Sequence, residues 1–526
     1  MNDFPWLSLI VLVPLLGALA TRFVPAGGGV GGSVSLLPKY VALGTSVITF
    51  VLSAVVALRF VNHNGMQFTE THEWIPAFGA HYALGVDGIG LTLVLLTTLL
   101  VPVVILGSWY DADEIAPDGT VVSRAGSYFG WMLAMQAMAL VVFMAQDVFL
   151  FYVAFEATLI PAYFLIGHFG GADRAQRAKA AVKFLLYMLA GGLIMLASVV
   201  GLYAVSANAG EPTYLISDLA SLDIDKETGR WLFLGFFIAF AIKAPLFPVH
   251  TWLPDTTAAA TPGTSVLLIC VLDKIGTYGM LRFCLGMFPE ASQWATPVVI
   301  VLALISIIYG ALLAIGQDDM LRLIGLTSLS HFGFIVLGIF VMNSQGMSGA
   351  TFYMFNHGVA TAILFLVAGY LIRRRGSTLI SDHGGVEKKA PILAGLFLIG
   401  GLGTLGLPGL SPFVSEFLVL VGGFAHHWVV GAFAVTGIVL AAIYVLWMYQ
   451  KIMTGPTHPQ VETFTDVSPR EVGAIAPLVL AMVLFGFYPQ PLLDVINPAV
   501  AATMDYVGTA DEPPTVPTVD TEGGEH

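Results

Sequence analysis

The amino-acid sequence predicts an all-α polytopic membrane protein with about 14 transmembrane helices. Of its 526 residues, 57% are hydrophobic and only 10% are charged, and the mean hydropathy is +0.85. Soluble domains carry about 25% charged residues, so most of this chain belongs in lipid. Apolar stretches of about 20 residues, long enough to cross a bilayer as helices, recur along the whole sequence. The short alternating segments of a transmembrane β-barrel are not apparent.

Two of the predicted spans are interrupted by proline and glycine. The spans centre near residues 14, 49, 96, 136, 158, 192, 242, 274, 304, 331, 360, 408, 441 and 482. The span at 242 reads AIKAPLFPVH and contains Lys243, and the span at 408 reads GLPGLSPFVSEF and contains Glu416. The two breaks lie five spans apart, and an odd separation reverses the direction of a helix across the membrane. The pattern therefore predicts two inverted five-helix repeats with two Pro-interrupted helices.

The repeats divide the chain into segments. Residues 1–125 hold spans 1 to 3, 126–290 the first repeat, 291–455 the second repeat, and 456–500 the final span. Residues 501–526 are acidic and rich in proline, which predicts a disordered tail. Basic residues concentrate in the connections after odd-numbered spans, so these are predicted to be cytoplasmic and both termini to lie outside. Cys270 and Cys284 are about 21 Å apart along one helix, so they cannot form a disulfide with each other.

Ionisable residues inside the spans are the candidate functional groups. A charged side chain near the centre of a bilayer costs about 2.5–3.5 kcal/mol, so such residues usually face a bundle interior or a wet path. Lys243 lies at a helix break, where a lysine can be held at depth. Glu156 lies in mid-span and is either a carboxylate held for packing or a proton-binding group. Lys243 and Lys274 are its natural partners, and a buried pair of this kind titrates as a unit.

The other buried groups leave alternatives open. Asp273 immediately precedes Lys274, and neighbours on a helix point about 100° apart, so we expect Asp273 to pair with another helix or to lie near a wet cavity. His331 and His357 occupy successive spans and are either satisfied core residues or members of a proton path. Glu416 follows the second break, where it is predicted to load a proton.

Three further residues are secondary candidates. His250 lies near the first break, where it either gates access or bonds freed backbone carbonyls. Lys183 either belongs to the path or snorkels to the surface. Tyr444 is expected to be core or hydrogen-bonded filler rather than a relay member. The sequence contains no Walker A motif, dinucleotide-binding fingerprint, cysteine cluster or basic patch, so we predict no cofactor, metal or nucleic acid on this chain.

These motifs resemble those of the antiporter-like membrane subunits of respiratory NADH-quinone oxidoreductase (complex I), of the subunit M type, called subunit 4 in mitochondria. The resemblance is carried by the stretches YALGVDGIGLTLVLLTT, FAIKAPLFPVHTWLPD, LDKIGTYGMLRF, QDDMLRLIGLTSLSHFGF and GLPGLSPFVSEF. It implies a fold of fourteen spans with inverted repeats. It also implies that a chain of protonatable groups crosses the membrane midplane at the positions of Glu156, Lys243, Lys274, His331, His357 and Glu416.

The resemblance further implies that flavin, iron–sulfur clusters and quinone belong to other subunits, and that the partners are L-type and N-type antiporter-like subunits in a bacterial plasma membrane. Glu416 favours subunit M, since the sister subunits usually have lysine there. The chain departs from the family pattern at three places. After Asp255 it reads TTAAATPG, where the family usually has A-H-x-E-A-P. The family usually has an apolar residue at the position of Asp273 and a lysine at the position of Leu321. The alternatives are a subunit of a multisubunit sodium/proton antiporter or membrane-bound hydrogenase, and a structural spacer.

Overall fold

The computed structural model describes residues 4–24, 35–115, 121–171 and 173–511, which form a helical bundle. The first half contains α1 (Trp6–Phe23), α2 (Leu37–Arg59), α3 (Gly88–Gly107), α4 (Ala125–Met144), α5 (Val148–Ala157), α6 (Leu159–His168), α7 (Arg174–Ala209), α8 (Ile216–Leu219), α9 (Lys226–Lys243) and α10 (Leu253–Ala259). The second half contains α11 (Pro262–Leu267), α12 (Asp273–Gly279), α13 (Pro289–Ile315), α14 (Met320–Phe340), α15 (Ser344–Arg375), α16 (Pro391–Thr404), α17 (Ser411–His426), α18 (Trp428–Met453), α19 (Pro469–Phe487) and α20 (Gln490–Val507).

Twelve of the helical segments in these ranges are long and apolar enough to cross a membrane, which confirms the polytopic all-α class. The predicted span at 242 corresponds to α9 followed by α10, and the predicted span at 408 corresponds to α16 followed by α17. The count of fourteen requires that each of these interrupted pairs also crosses the bilayer, and it stays a prediction.

The sequence analysis did not predict two short β-hairpins in the connections. β1 (Gln67–Ile75) pairs antiparallel with β2 (Ala80–Val86), and β3 (Asp113–Ile115) pairs with β4 (Val121–Ser123). Most of β1 is exposed and polar, so it lacks the hydrophobic alternation that identifies a half-buried strand.

Three helical segments form the centre of the bundle. α11 and α12, with the π-helical turns Leu268–Leu272 and Met280–Leu285, make one continuous helix that is buried along its whole length. α14 is equally buried and α15 nearly so, whereas only about a third of α1, α2 and α18 is buried. Side chains on the central helices therefore have protein neighbours on every side, and their charges are kept from lipid.

Ion pairs join the ends of several spans on one face. Lys39 in the first turn of α2 contacts Asp113 after α3 at 2.5 Å, and Arg374 at the end of α15 contacts Glu471 in α19 at 2.8 Å. Arg470 donates to the carbonyl of Leu106 at the end of α3 at 2.6 Å. The connections after odd-numbered spans thus meet on the same side of the bundle.

The C-terminal boundary needs a correction. Residues 501–507, which the sequence analysis assigned to a disordered tail, belong to α20. This helix has apolar residues on one face that pack against the bundle, including Leu492, Ile496 and Val500. The acidic residues and prolines of the tail made the apolar periodicity of α20 difficult to recognise in the sequence. Residues 512–526 lie outside the described ranges.

Candidate functional site

The first helix break places Lys243 inside the bundle. Lys243 is the last residue of α9 and is 1% exposed. The chain then leaves helical geometry at Ala244, and the indole N–H of Trp252 donates to the carbonyl of Ile242 at 3.0 Å across the break. The proline-containing loop is thereby fixed beside the end of α9. The Lys243 ammonium is held at a fixed depth at this point.

Lys243 does not form a direct ion pair with Glu156, so the expected pairing is an electrostatic interaction rather than a contact. Its Nζ donates to Oγ1 of Thr158 at 2.9 Å and lies 4.6 Å from the centre of the Phe155 ring. The half-buried Glu156 carboxylate instead lies against Gly192, where a Cβ would be 1.7 Å from Oε1, and this oxygen has no hydrogen-bond partner. The two charges still act on each other electrostatically. The hydroxyl of Thr158, two residues after Glu156, donates to the carbonyl of Phe155 rather than to the carboxylate.

Asp273 lies beside the break and has no ion-pair partner within 4.0 Å among the described residues, so the expected pairing with another helix is not formed. Gly276, one turn further along α12, packs so closely on α9 that a Cβ would lie 2.5 Å from the amide nitrogen of Ala244. Asp273 is 1% exposed, and its Oδ2 has no hydrogen-bond partner. It interacts electrostatically with both Lys243 and Lys274.

Lys274 begins a contact chain through the second half of the bundle. It is completely buried, and its Nζ lies 2.6 Å from Nδ1 of His357. The same ammonium donates to the carbonyl of Ile269 at 3.2 Å and lies 4.3 Å from the centre of the Phe332 ring. The Ile269 carbonyl is accessible because it belongs to a π-helical turn, whose wider spacing changes the usual backbone pairing. Lys274 and His357 therefore form a direct, desolvated donor–acceptor pair.

The chain continues from His331 to Glu416 through a tyrosine. Nδ1 of His331 lies 2.5 Å from the hydroxyl of Tyr353, and that hydroxyl donates to Oε1 of Glu416. Tyr444 approaches Nε2 of His331 at 3.4 Å. All three contacts can form together when neutral His331 carries its proton on Nδ1 and Glu416 is ionised. We therefore assign the Nδ1-protonated tautomer to His331.

A small void separates the two histidines. Their ring centres are 5.3 Å apart, without a hydrogen bond between the rings, and Nε2 of His357 has no partner. The void is too narrow to admit a water molecule, and its lining includes Tyr353, Thr361, Thr404 and Pro412. The contact chain is therefore interrupted between His357 and His331.

The second break shapes the site around Glu416. Gly406 and Gly409 adopt positive φ values of 74° and 95° between α16 and α17, conformations that glycine adopts without strain. A Cβ on Gly406 would lie 1.9 Å from Oε2 of Glu416, so the glycine also makes room for the carboxylate. Glu416 follows its break, whereas Lys243 precedes the first one. The two charges thus do not occupy equivalent positions of a repeat.

The secondary candidates lie at one mouth of the first half. Lys183 donates to the carbonyl of Thr251 and to Asp255, both at 2.7 Å, and Arg322 contacts Asp255 at 3.0 Å. Burial by itself raises the pKa of Asp255, but the hydrogen bond and charge of Lys183, with the charge of Arg322, lower that pKa below its usual range. Lys183 is thus tied to Asp255 rather than extended freely to the surface.

His250 lies between two aromatic rings, 6.0 Å from that of Phe247 and 5.5 Å from that of Tyr309. Its Nδ1 is buried without a partner, so this nitrogen does not bond a freed backbone carbonyl.

Sequence reasoning missed Thr158 and the role of Tyr353. Tyr353 lies four residues before His357 on α15, and positions four apart share a helix face, so this spacing was an available signal. Tyr444 was expected to be core or hydrogen-bonded filler, and its hydroxyl lies 3.4 Å from Nε2 of His331. For Thr158 the sequence offered no comparable signal.

Comparisons with known proteins identify the family. The family described as NADH:quinone oxidoreductase/Mrp antiporter, TM, matches residues 145–441, a range that contains all six primary candidates. The chain is 49% identical over 543 residues to NADH-quinone oxidoreductase subunit M of Mycobacterium tuberculosis strain H37Rv, an alignment that covers 98% of this chain and 97% of the relative. The chain belongs to the subunit M family of NADH-quinone oxidoreductase. This confirms the family that the sequence motifs indicated.

Solved structures agree with that assignment. A chain of respiratory complex I from Thermus thermophilus with bound NADH has a TM-score of 0.84 and 31% identity, and the match covers 96% of this chain and 100% of that one. A chain of the Mrp complex from Dietzia sp. DQ12-45-1b has a TM-score of 0.80 at 20% identity, with 95% and 98% covered. This second likeness shows a shared fold only.

Proposed function

We propose that this subunit M family member translocates protons through the membrane arm of a NADH-quinone oxidoreductase and carries no redox centre itself. The observation that carries the proposal is the buried series of contacts from Lys274 to His357 and, beyond one gap, from His331 through Tyr353 to Glu416. These groups are nearly inaccessible to solvent, and each can bind or pass a proton. Burying so many polar groups in an apolar bundle is costly without a function.

The first half of the path holds Glu156, Lys243 and Asp273. A change in the charge of Glu156 alters the electrostatic environment of Lys243, because the two groups interact electrostatically. Asp273 interacts with Lys243 and Lys274 and so couples the first half to the central lysine. A proton that leaves Lys243 is thereby drawn toward Lys274.

In the second half the donors and acceptors are already ordered. The Lys274 ammonium donates to Nδ1 of His357, which leaves the His357 Nε2–H directed away from the lysine. At the far end, His331 takes a proton at Nε2 and, as it does so, passes its Nδ1 proton to the Tyr353 oxygen while the Tyr353 hydroxyl proton moves to Glu416. This concerted shift leaves the tyrosine neutral before and after the step.

The void between His357 and His331 controls transfer. In the observed arrangement the rings are too far apart for a direct hydrogen bond, and water does not fit between them. A proton passes when the His357 ring turns or when the void widens enough for water. We infer that the coupling signal from the redox part of the assembly acts on this gap. When the complex is idle, the closed gap prevents protons from leaking through the path.

The same proposal covers the assembly. Flavin, iron–sulfur clusters and quinone are held by other subunits, and L-type and N-type antiporter-like subunits flank this chain in the bacterial plasma membrane. The face that carries the basic connections is cytoplasmic, and both termini lie outside. The two five-helix segments, 126–290 and 291–455, act as the two half-channels.

Lys274→Met in the assembled complex tests the proposal. NADH-driven proton uptake into inverted membrane vesicles should fall severely, and Lys274→Arg should restore only part of it, because guanidinium hardly deprotonates. Lys226→Met is the matched control, since Lys226 is 76% exposed and pairs with Glu290 on the surface. Full proton uptake by an assembled Lys274→Met complex would reject the relay.

A further inference from the structure

A pocket of about 330 Å³ lies at the mouth of the first half, beside the segment that follows Lys243. Its described lining residues include three cationic side chains, those of Lys179, Lys183 and Arg322, and a single carboxylate, that of Asp255. The side chains of Lys183 and Asp255 are 32% and 35% exposed, so ions in solution reach them. This pocket is where a cation from the solution first meets the first half of the proposed path.

The ammonium of Lys183 occupies a position lined by oxygen atoms. Its Nζ donates to Oδ2 of Asp255 and to the carbonyl of Thr251, both at 2.7 Å. The hydroxyl of Thr251 in turn lies 2.6 Å from that of Tyr187, which is one turn after Lys183 on α7. A carboxylate, a carbonyl and nearby hydroxyls are the oxygen ligands that hard metal cations take. The ammonium therefore fills the place that a metal cation would occupy.

A second cation engages the other oxygen of the same carboxylate. Arg322, in the first turn of α14, contacts Oδ1 of Asp255 at 3.0 Å. The eight residues after Asp255 read TTAAATPG and supply no further acidic group. Both carboxylate oxygens are thus held by side chains of the protein, and the excess of positive charge around them opposes the approach of another cation.

We propose that Lys183 is a built-in cation that keeps sodium ions out of this mouth, so that the first half takes up protons and not Na⁺. A sodium ion must exchange part of its hydration shell for fixed oxygen ligands, and the ammonium already holds those of Asp255 and Thr251. A proton moves along hydrogen bonds and does not need that place. The consequence for proton uptake rests on the proposed function, whereas the exclusion of Na⁺ from the oxygen atoms does not.

The linewidth of the sodium NMR signal in solutions of the purified complex tests this proposal, because exchange with bound Na⁺ broadens the signal. Lys183→Ala should raise the apparent affinity for Na⁺ by at least about tenfold, since an ion at Asp255 no longer meets a positive charge a few ångströms away. Lys183→Arg keeps a cation there and should behave as wild type does. Lys179→Ala is the matched control, because Lys179 is an exposed lysine that lines the same pocket.

Two further variants complete the series. Asp255→Asn added to Lys183→Ala should abolish the new Na⁺ binding, because it removes the carboxylate ligand. Lys183→Met removes the charge but keeps most of the apolar stem, and it serves as the second test if the alanine variant does not assemble. Assembly is checked on a native gel before each measurement.

Proton uptake gives a second readout that separates this proposal from the relay. Vesicles with Lys183→Ala should take up protons more slowly in about 0.15 M sodium chloride than in choline chloride of the same ionic strength, which holds screening constant. A failed relay lowers uptake equally in the two salts and leaves the linewidths unchanged. Equal linewidths for wild type and Lys183→Ala would overturn the proposal. Equal broadening by Lys179→Ala and Lys183→Ala would also overturn it, since any lost positive charge would then suffice.

Discussion

Nδ1 of His331 lies 2.5 Å from the hydroxyl of Tyr353, and the same hydroxyl donates to Glu416. The histidine and the carboxylate are themselves 3.9 Å apart, too far for a good hydrogen bond. Tyr353 therefore bridges His331 and Glu416 by hydrogen bonds, as the proposed proton path requires. Tyr353 lies on α15 one turn before His357. One helix therefore positions residues on both sides of the void between the two histidines.

Tyr353→Phe should slow proton uptake by about 10- to 100-fold, because it removes a hydrogen bond to a charged group, a loss of about 1.5–3 kcal/mol. Tyr444→Phe is the matched variant, since Tyr444 approaches the same histidine only at 3.4 Å and should have a smaller effect. Initial rates of NADH-driven uptake in inverted vesicles give the comparison. Equal rates for the two variants would remove the special role of Tyr353.

Glu156→Gln should leave the complex assembled and strongly reduce proton uptake. Glutamine keeps the shape that fits against Gly192 but removes the charge that acts on Lys243. Assembly is checked by the amount of complex on a native gel, and pumping by the vesicle assay. Wild-type pumping in an assembled Gln variant would show that the carboxylate serves packing alone.

Asp273→Asn should reduce uptake without a loss of assembly, because Asp273 carries the charge that interacts with Lys243 and Lys274. Asp273→Leu, which restores the apolar side chain usual in the family, distinguishes charge from packing. If the Asp273→Leu and Asp273→Asn variants both pump at the wild-type rate, Asp273 has no part in the path. Lys243 and Lys274 are then coupled without it.

Gly406→Ala should impair pumping by displacing the Glu416 carboxylate, since the new Cβ would fall 1.9 Å from Oε2 and alanine is strained at a φ of 74°. The conformational strain alone is about 1–2 kcal/mol. Gly395→Ala on α16 is the control, because a Cβ there meets nothing within 4 Å. Equal uptake by both alanine variants would mean that the carboxylate position is not critical.

The sequence predicted the class of fold and the positions of the breaks because both depend on local properties, namely hydropathy over about 20 residues and the effect of proline on a helix. The chemical types in the site were also visible, since an ionisable residue in an apolar span is conspicuous. Lys274, His331, His357 and Glu416 were all singled out in this way, and the structure brings them together.

The sequence could not predict which atoms meet. A rotation by one residue turns a helix face by about 100°, and no local pattern fixes that rotation between helices distant in sequence. For this reason Thr158 replaced Glu156 as the hydrogen-bond partner of Lys243, and Asp273 remained without the expected pairing. The exposed hairpin of β1 and β2 was missed because its polar residues lack a buried face.

The central claim is that Glu416 accepts the proton at the end of the chain. Its most direct test is NADH-driven proton uptake by assembled complexes carrying Glu416→Gln, Glu416→Asp or Glu416→Lys. The account predicts that Gln abolishes most uptake, because it cannot take up a proton, and that Asp retains more than Lys. An ammonium cannot accept the hydrogen bond from Tyr353, whereas aspartate keeps the acceptor on a shorter stem. Equal uptake by the Asp and Lys variants would contradict the account.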